Sequence, residues 1–166
     1  MSQSATQRKR LPAGALTRAL LSVVLATAVA ACTQDPSAAD LRYARSTDKP
    51  VADVMIDLEL AITQENFAIT ARNNLGDPIR RRGHPDFPDA HIVSFCNLEY
   101  ARRAIDIDPA LMVYMPCKVT VLAQGETVLI QTYLLPEALA AEGAAGFARE
   151  VNSILRGIVD FAASGD

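Results

Sequence analysis

The spacing of hydrophobic residues predicts a strand, a helix and a second strand at the start of the body of this chain. Polar and apolar residues alternate at 41–47 and again at 67–73, which is typical of strands with one buried face. Between these segments, apolar residues recur every three or four positions from 51 to 66, the spacing of one helix face. Pro50 fits the start of that helix, because proline is tolerated in the first helical turn.

The next part of the chain predicts an irregular segment, a strand and a second helix. Closely spaced prolines leave 75–89 without regular structure except for a helical turn at 79–82. A short apolar strand is expected at 91–96, and Asn97 is expected to cap a helix that ends near residue 106. The residues expected on the buried face of this helix are Leu98, Ala101, Ala104 and Ile105.

Residues 111–123 carry the clearest strand pattern of the chain. One face is expected to hold Val113, Met115, Cys117, Val119 and Val121, and the other Tyr114, Lys118 and Thr120. A three-residue turn at 124–126 then predicts a hairpin whose second strand spans 127–134.

The C-terminal pattern predicts helices. One helix is expected after Pro136, interrupted by Gly143 and Gly146, and a long amphipathic helix is expected at 144–163. The residues expected in the buried stripe of the long helix are Phe147, Val151, Leu155, Ile158 and Ala162. The residues expected to face water are Arg149, Asn152, Arg156 and Asp160. Together the elements predict a single α+β domain, with an antiparallel sheet covered on one face by helices, of β-α-β type with a long C-terminal helix.

The N-terminus has the layout of a secretory signal. Basic residues precede an uncharged stretch from Ala19 to Ala31, which is shorter than the roughly 20 residues that a membrane-spanning helix needs. The four residues that end in Cys32 (Val-Ala-Ala-Cys) resemble the lipobox of bacterial lipoproteins, in which the signal is removed and the cysteine is acylated. The resemblance implies a signal peptide at 1–31 and a lipidated Cys32. Residues 32–40 are expected to be a flexible tether, because they are rich in Ser, Ala, Asp and Pro.

The lipobox resemblance also predicts where the protein works. Two or more acyl chains give durable membrane attachment, and the lipoproteins that this chain resembles carry three. Thr33 is not the aspartate that retains Gram-negative lipoproteins in the inner membrane. The expected place is therefore the outer membrane of a Gram-negative bacterium, with the domain facing the periplasm. The alternative is a plain secretory signal cut elsewhere, which would leave a soluble periplasmic protein.

Composition limits the partners that the body can bind. The signal holds four basic residues and no acidic one, so the net charge of −3 becomes −7 once the signal is removed. An acidic body repels phosphate backbones, and nucleic-acid binding is therefore not expected. No apolar run of about 18 residues follows Cys32, so no further membrane span is expected. With no Trp and only 5% aromatic residues, the core must be mostly aliphatic.

Cys96 and Cys117 are the best candidates for chemistry. Lipidation of Cys32 leaves them as an even pair in an oxidising compartment, where a disulfide closing a loop of about 20 residues would contribute about 3 kcal/mol. They can also be inert buried thiols, because free cysteine packs as a small hydrophobe. The third alternative is a metal, haem or redox site. Their spacing is far from Cys-x-x-Cys, so a thioredoxin-like activity has no support.

A proline-rich loop carries both histidines and two carboxylates. His84, His91, Asp86 and Asp89 have the donor types that zinc or a similar divalent ion uses. Ordinary turn chemistry explains the same residues, because Asp side chains commonly bond their own backbone in turns. A metal site in this loop is therefore the less favoured interpretation.

Soft sulfur donors and arginine runs complete the candidates. Met112, Met115 and Cys117 have the donors that suit copper, but packing on one core face explains Met115 and Cys117 more simply. The arginines at 80–82 and 102–103 could meet an anionic ligand or lipid headgroups, but solvated helix faces are the favoured interpretation. No Ser-His-Asp set, phosphate loop, pair of catalytic carboxylates or Cys-x-x-Cys-His haem motif can be identified, so no catalytic residue is predicted.

Two cysteine-containing segments carry a resemblance to a known family. Phe95-Cys96-Asn97 at the start of a helix and Met115-Pro116-Cys117-Lys118-Val119 on a strand resemble the domain-of-unknown-function 302 family. Other positions also fit the family: the segment 60–67, Gly76, and the Arg-Gly-His and Phe-Pro motifs that follow. The resemblance covers residues 41–163. Many relatives have proline where this chain has Leu98. The resemblance implies a compact β-α-β domain that can form a homodimer, and it implies no activity. Because the family also occurs in reducing compartments, it weakens the disulfide interpretation.

These observations predict a membrane-anchored accessory module that binds a small ligand or a protein partner in the periplasm without catalysis. The alternative is a redox protein, or one that handles metal or haem, centred on Cys96 and Cys117 with His84 or His91 assisting. A structural role in dimerisation is the third hypothesis. The sequence establishes no cofactor, and it leaves open whether the protein is an enzyme.

Overall fold

Residues 41–165 of the chain are described in the computed structural model. The expected signal at 1–31, Cys32 and the expected tether at 32–40 lie outside the described residues. The strands are β1 (Arg42–Thr47), β2 (Ala68–Asn74), β3 (Ala90–Cys96), β4 (Cys117–Gln124) and β5 (Thr127–Tyr133). The helices are α1 (Val51–Gln64), α2 (Gly76–Arg81), α3 (Leu98–Ile107) and α4 (Ala144–Ser164), and a 3₁₀ helix spans Pro109–Tyr114.

The five strands form one antiparallel sheet in the order β1-β5-β4-β3-β2. Residues that pair across neighbouring strands share a face, and Val93, Val119 and Val121 lie on the face turned toward the core. Helices α1 and α4 pack against each other, and α4 also contacts β1 and β5. The prediction of a single α+β domain with an antiparallel sheet and a long C-terminal helix is confirmed.

Helix α4 is the long C-terminal helix of the prediction. It starts after Gly143, whose φ of 79° lies in the left-handed region that glycine adopts without strain. The predicted stripe is buried in the core: Phe147, Val151, Leu155, Ile158 and Ala162. No helix within residues 41–165 is long and apolar enough to cross a membrane.

The helix predicted after Pro136 is wrong. Residues 134–143 form neither helix nor strand. The cause is Asn152 of α4, whose Oδ1 accepts a hydrogen bond from the Leu135 N–H (2.8 Å) and whose Nδ2 donates to the Leu135 carbonyl (2.9 Å). This pair of bonds satisfies both backbone groups of Leu135, where the segment begins, without helical structure. Asn152 is only 1% exposed, so the expectation that it faces water is also wrong.

The first part of the strand predicted at 111–123 is wrong as well. The 3₁₀ helix occupies this part, and β4 begins only at Cys117. Asp108 caps the 3₁₀ helix, because its Oδ1 accepts a hydrogen bond from the Ala110 N–H at 2.9 Å. Val113, expected in the core, is 79% exposed. The alternation of polar and apolar residues at 111–115 therefore does not indicate a strand, because most of these residues belong to a 3₁₀ helix.

The buried face predicted for α3 is partly wrong. Leu98 and Ile105 are 83% and 39% exposed, whereas Ala104 is buried as expected. Tyr100 and Ile107 pack against the core instead. Both faces have helical spacing, and the one that buries the large aromatic ring gains more apolar area.

Candidate functional site

A crevice lies at the end of the sheet where β3 stops and β4 starts. It holds about 30 Å³ that a water-sized molecule can occupy. Its walls come from α3, the 3₁₀ helix, α4 and the segment after β5. Most of its lining is aromatic or aliphatic: Phe67, Tyr100, Ala101, Ala104, Leu111, Tyr114, Leu135, Phe147 and Val151. We call this space the crevice.

Three sulfur-containing side chains, those of Cys96, Met115 and Cys117, also line the crevice. Cys96 is the last residue of β3 and Cys117 is the first of β4, where it pairs with Phe95. Helix α3 and the 3₁₀ helix connect the two strands, and the antiparallel pairing of β3 with β4 brings the second cysteine close to the first. Met115 reaches the crevice from just before β4.

The two cysteines are both free thiols in the structure. Burial raises the pKa of the Cys117 thiol to about 11, and the neighbouring Cys96 adds to the rise. Cys117 is therefore protonated at neutral pH, since an anion without a partner is disfavoured in apolar surroundings. The structure brings the two sequence-predicted cysteines to one site, and the disulfide between them stays a prediction.

Stacked aromatic rings form one wall of the crevice. The Phe67 ring meets Phe95 edge-on at 5.5 Å between centroids and stacks on Tyr100 at 5.6 Å. The Tyr100 ring lies 6.3 Å from that of Phe147 on α4. These contacts join the sheet, α3 and α4, so the wall is held by three elements of the fold.

An arginine on α3 fixes this wall from outside. Arg103 donates two hydrogen bonds to Glu150 of α4, at 3.0 and 2.7 Å, and the Tyr100 hydroxyl donates to the same carboxylate at 3.0 Å. The Arg103 guanidinium also lies 5.2 Å from the centre of the Tyr100 ring and 5.4 Å from that of Phe147. Its hydrogen bonds hold the pKa of Glu150 below the ordinary value, and burial is the main cause of a raised pKa for Tyr100. The carboxylate therefore stays charged and the phenol stays protonated at neutral pH.

Asn97 lies at the start of α3, and the structure confirms it as the cap of this helix. Its Oδ1 accepts hydrogen bonds from the backbone N–H groups of Glu99 (2.9 Å) and Tyr100 (3.3 Å). Its Nδ2 donates to the Asn66 carbonyl at 3.0 Å. Asn97 also lines the crevice, but its amide is used for the cap.

Asn152 is the residue of this region that sequence reasoning missed. By holding both backbone groups of Leu135, it fixes the segment after β5 that closes one side of the crevice. The only signal in the sequence was a polar residue between the buried positions Val151 and Leu155, which also fits a solvent-facing position.

The loop with two histidines and two carboxylates does not form a cluster. His84 and Asp86 are exposed, His91 lies on β3, and Asp89 accepts a hydrogen bond from Arg80 at 2.9 Å. Within residues 41–165 no three His, Cys, Asp or Glu side chains converge as metal ligands would. The loop residues are thus held apart by the structure.

The arginines of each run have different surroundings in the structure, and Met112 lies apart from the other sulfur-containing residues. Arg80 is tied to Asp77, Asp89 and the Phe87 carbonyl, whereas its two successors in the run are exposed. On α3, Arg102 pairs with Glu99 and Asp106 while Arg103 pairs with Glu150 across to α4. Met112 is 56% exposed and is not among the residues that line the crevice.

Comparison with known proteins identifies the domain but no activity. The model of the family described as domain of unknown function DUF302 matches residues 43–162. The crystal structure of an uncharacterized conserved protein DUF302 from Bacillus stearothermophilus is similar, with a TM-score of 0.65 and 18% sequence identity. The match covers 74% of this chain and 98% of that chain, and it supports the fold. Comparison with curated protein sequences gives no match. On the extent of the family match, the chain belongs to the DUF302 family.

Proposed function

We propose that the protein is a membrane-anchored periplasmic lipoprotein whose domain is a non-catalytic binding module, with the crevice as its binding site. The observation that carries this proposal is the crevice itself, an apolar recess that opens to the surface. Its volume of about 30 Å³ exceeds the roughly 10–15 Å³ that one water molecule needs, so the crevice can take a small apolar group.

The chemistry of the crevice supports binding more than catalysis. Among the described residues that line it, none is a histidine or a carboxylate that would move protons. Its thiol at Cys117 has a raised pKa, whereas a nucleophilic cysteine needs a lowered one. The walls are held by hydrogen bonds and stacked rings, which favours a preformed site.

The proposed localisation rests on the N-terminal sequence. We expect Cys32 to be acylated. The next residue is Thr33 and not aspartate, which favours attachment to the outer membrane with the domain facing the periplasm. The full-length gene, expressed in a Gram-negative host with radiolabelled palmitate, is expected to give a labelled protein in the outer-membrane fraction. The Cys32→Ala variant is expected to lose the label, and a label that persists in this variant would contradict the proposed anchor.

Binding in the crevice can be tested with methionine methyl groups as reporters. After removal of the signal the chain has three methionines, of which Met115 lines the crevice while Met112 and Met55 do not. The protein is labelled at the methionine methyl groups, purified into lipid nanodiscs and titrated with benzene as a small apolar probe. The Met115 signal is expected to shift with saturation while the other two stay in place.

A pair of alanine substitutions provides the control. Ala101→Phe places a ring in the lining of the crevice, whereas Ala52→Phe places one on the exposed side of α1. The first variant is expected to abolish the Met115 response to benzene, and the second to preserve it. Equal responses in both variants would show that benzene binds elsewhere, and the proposed site would be rejected.

The alternative function is a redox role or metal or haem handling centred on Cys96 and Cys117. The meeting of both cysteines in one crevice favours it. Thiol titration of the purified protein before and after reduction, with an absorption spectrum and metal analysis, distinguishes the cases. Thiols that appear only after reduction indicate a disulfide. A Soret band or bound metal that is lost in Cys117→Ala supports this alternative, and free thiols without either contradict a haem centre or a tightly bound metal.

A further inference from the structure

We propose that the crevice binds one soft monovalent metal ion, Cu(I), through the sulfur atoms of Cys96, Met115 and Cys117. The inference rests on the proposed function, because it names a ligand for the same crevice. It differs from the less favoured copper set considered from the sequence, which contained Met112 and lacked Cys96. Met112 is exposed, whereas Cys96 lines the crevice.

The donor set selects the class of metal. Thiolate and thioether sulfur are soft ligands that favour Cu(I), whereas carboxylate and carbonyl oxygens favour hard ions such as magnesium and calcium. A structural zinc site takes four ligands from Cys, His, Asp and Glu. Within residues 41–165 no group of even three such residues converges. Two thiols with one thioether therefore suit Cu(I) better than a divalent ion.

The size of the crevice is compatible with an ion. Its volume of about 30 Å³ exceeds the roughly 10–15 Å³ that a single water molecule needs. A drug-sized ligand needs roughly 300 Å³ or more. The crevice therefore has room for a single ion, and the three sulfur-bearing side chains are among its lining residues.

Binding at this site needs no change of oxidation state. The Cys96 and Cys117 thiols each release a proton to solvent, because cysteine ligates metals as the thiolate. Two copper–thiolate bonds form, the Met115 thioether adds a neutral donor, and copper remains Cu(I) with no electron transferred.

The test uses the methyl-labelled full-length protein, processed by its host and held in nanodiscs after reduction under anaerobic conditions. Cu(I) is added from a chromogenic Cu(I) chelator that competes for the metal, and Ag(I) is used in parallel as an ion that does not change oxidation state. One equivalent is expected to bind. The Met115 methyl signal is expected to shift on binding, with Met112 and Met55 unchanged.

Substitutions assign the donors. Cys96→Ser, Cys117→Ser and Met115→Leu are each expected to weaken Cu(I) binding at least tenfold, and Met112→Leu is the matched control that leaves it unchanged. Because serine at a buried position can destabilise the fold, Cys117→Ala is measured as well, and circular dichroism verifies that each variant is folded. Unchanged affinity in a folded Cys96→Ser/Cys117→Ser double variant would overturn the proposal.

The benzene titration separates this proposal from the proposed function. A Met115 shift with benzene but none with Cu(I) or Ag(I) would overturn the metal site and support the crevice as an apolar binding site. A response to both ions and not to benzene would support the metal site and limit the crevice to ions. No response to any of the three would reject both. A disulfide between the two cysteines in protein isolated from the envelope without reduction would also overturn the metal site.

Discussion

Two clusters of similar composition hold α4 to the rest of the domain, and they differ in what lies beside them. The crevice cluster consists of Tyr100, Arg103, Phe147 and Glu150. The edge cluster consists of Tyr43, Arg45, Arg156 and Asp160. In each, a tyrosine hydroxyl donates to an α4 carboxylate, at 3.0 Å in the first and 2.8 Å in the second. In each, an arginine pairs with that carboxylate and lies over the tyrosine ring.

The difference lies in how the arginines are used. In the edge cluster, Arg45 and Arg156 both lie over Tyr43, and the cluster ties α4 to the edge strand β1. In the crevice cluster, a single arginine, Arg103, donates two hydrogen bonds to the carboxylate and lies over two rings. Those two rings also line the crevice. The same kind of contact thus fastens a helix at one end and forms the wall of a candidate site at the other.

The largest effect is expected from removing a ring of the crevice cluster. Phe147 is 5% exposed, and Phe147→Ala is expected to lower the free energy of unfolding by about 3–5 kcal/mol. The control is Phe161→Ala on the same helix, where the partly exposed ring is expected to cost less. Urea unfolding gives both values. An equal loss in the two variants would mean that the crevice wall contributes no more than an ordinary helix contact.

The next effect concerns the residue that lies between the two clusters on α4. Asn152→Ala leaves the N–H and the carbonyl of Leu135 without their side-chain partner, which is expected to cost about 2–3 kcal/mol. Ser153→Ala, at the exposed neighbouring position, is the matched control with little expected change. Hydrogen exchange at the Leu135 amide is expected to accelerate only in the first variant. Unchanged exchange there would show that Asn152 does not hold this wall.

The elements with a strong local pattern could be predicted from the sequence, whereas those fixed by tertiary contacts could not. The stripe of α4 and the cap at Asn97 follow from helical spacing and from cap chemistry, and both are present. The segment at 134–143 failed because its conformation depends on Asn152, which is distant in sequence from the backbone that it holds. No local pattern contains that information.

In the candidate site, too, some features could be predicted from the sequence while others depend on tertiary contacts. Cys96 and Cys117 were singled out from their residue type, and the antiparallel pairing of β3 with β4 brings them to one crevice. The third sulfur was assigned to a strand, because alternation at 111–115 resembled one, whereas a 3₁₀ helix precedes β4. Arg103 was expected only as part of a basic run. Its role in the crevice wall depends on Glu150, which lies on another helix.

A smaller effect is expected from removing one hydroxyl from each cluster. Tyr43→Phe and Tyr100→Phe each lose a hydrogen bond to a carboxylate at a partly exposed site, which is expected to cost about 1 kcal/mol in both. Only Tyr100→Phe is expected to alter the Met115 methyl response to added benzene, because only that ring lines the crevice. A response altered equally by Tyr43→Phe would remove the distinction between the clusters.

The smallest effect concerns the charge of Glu150 and its dependence on pH. The Arg103 hydrogen bonds lower the pKa of Glu150 in the folded state, so its contribution to stability is fully present above the ordinary value of 4.5 and is lost as pH falls through the lowered folded value. Because the pair is partly exposed, with 37% and 43% of the side chains accessible, screening limits the expected loss in Glu150→Gln to about 0.5–1 kcal/mol at pH 7. Urea unfolding is expected to show this difference shrinking as the pH is lowered toward about 3. Glu126→Gln, in the exposed turn between β4 and β5, controls for the loss of one negative charge. A difference of the same size at both pH values would mean that Glu150 stabilises the crevice wall through packing and not through its charge.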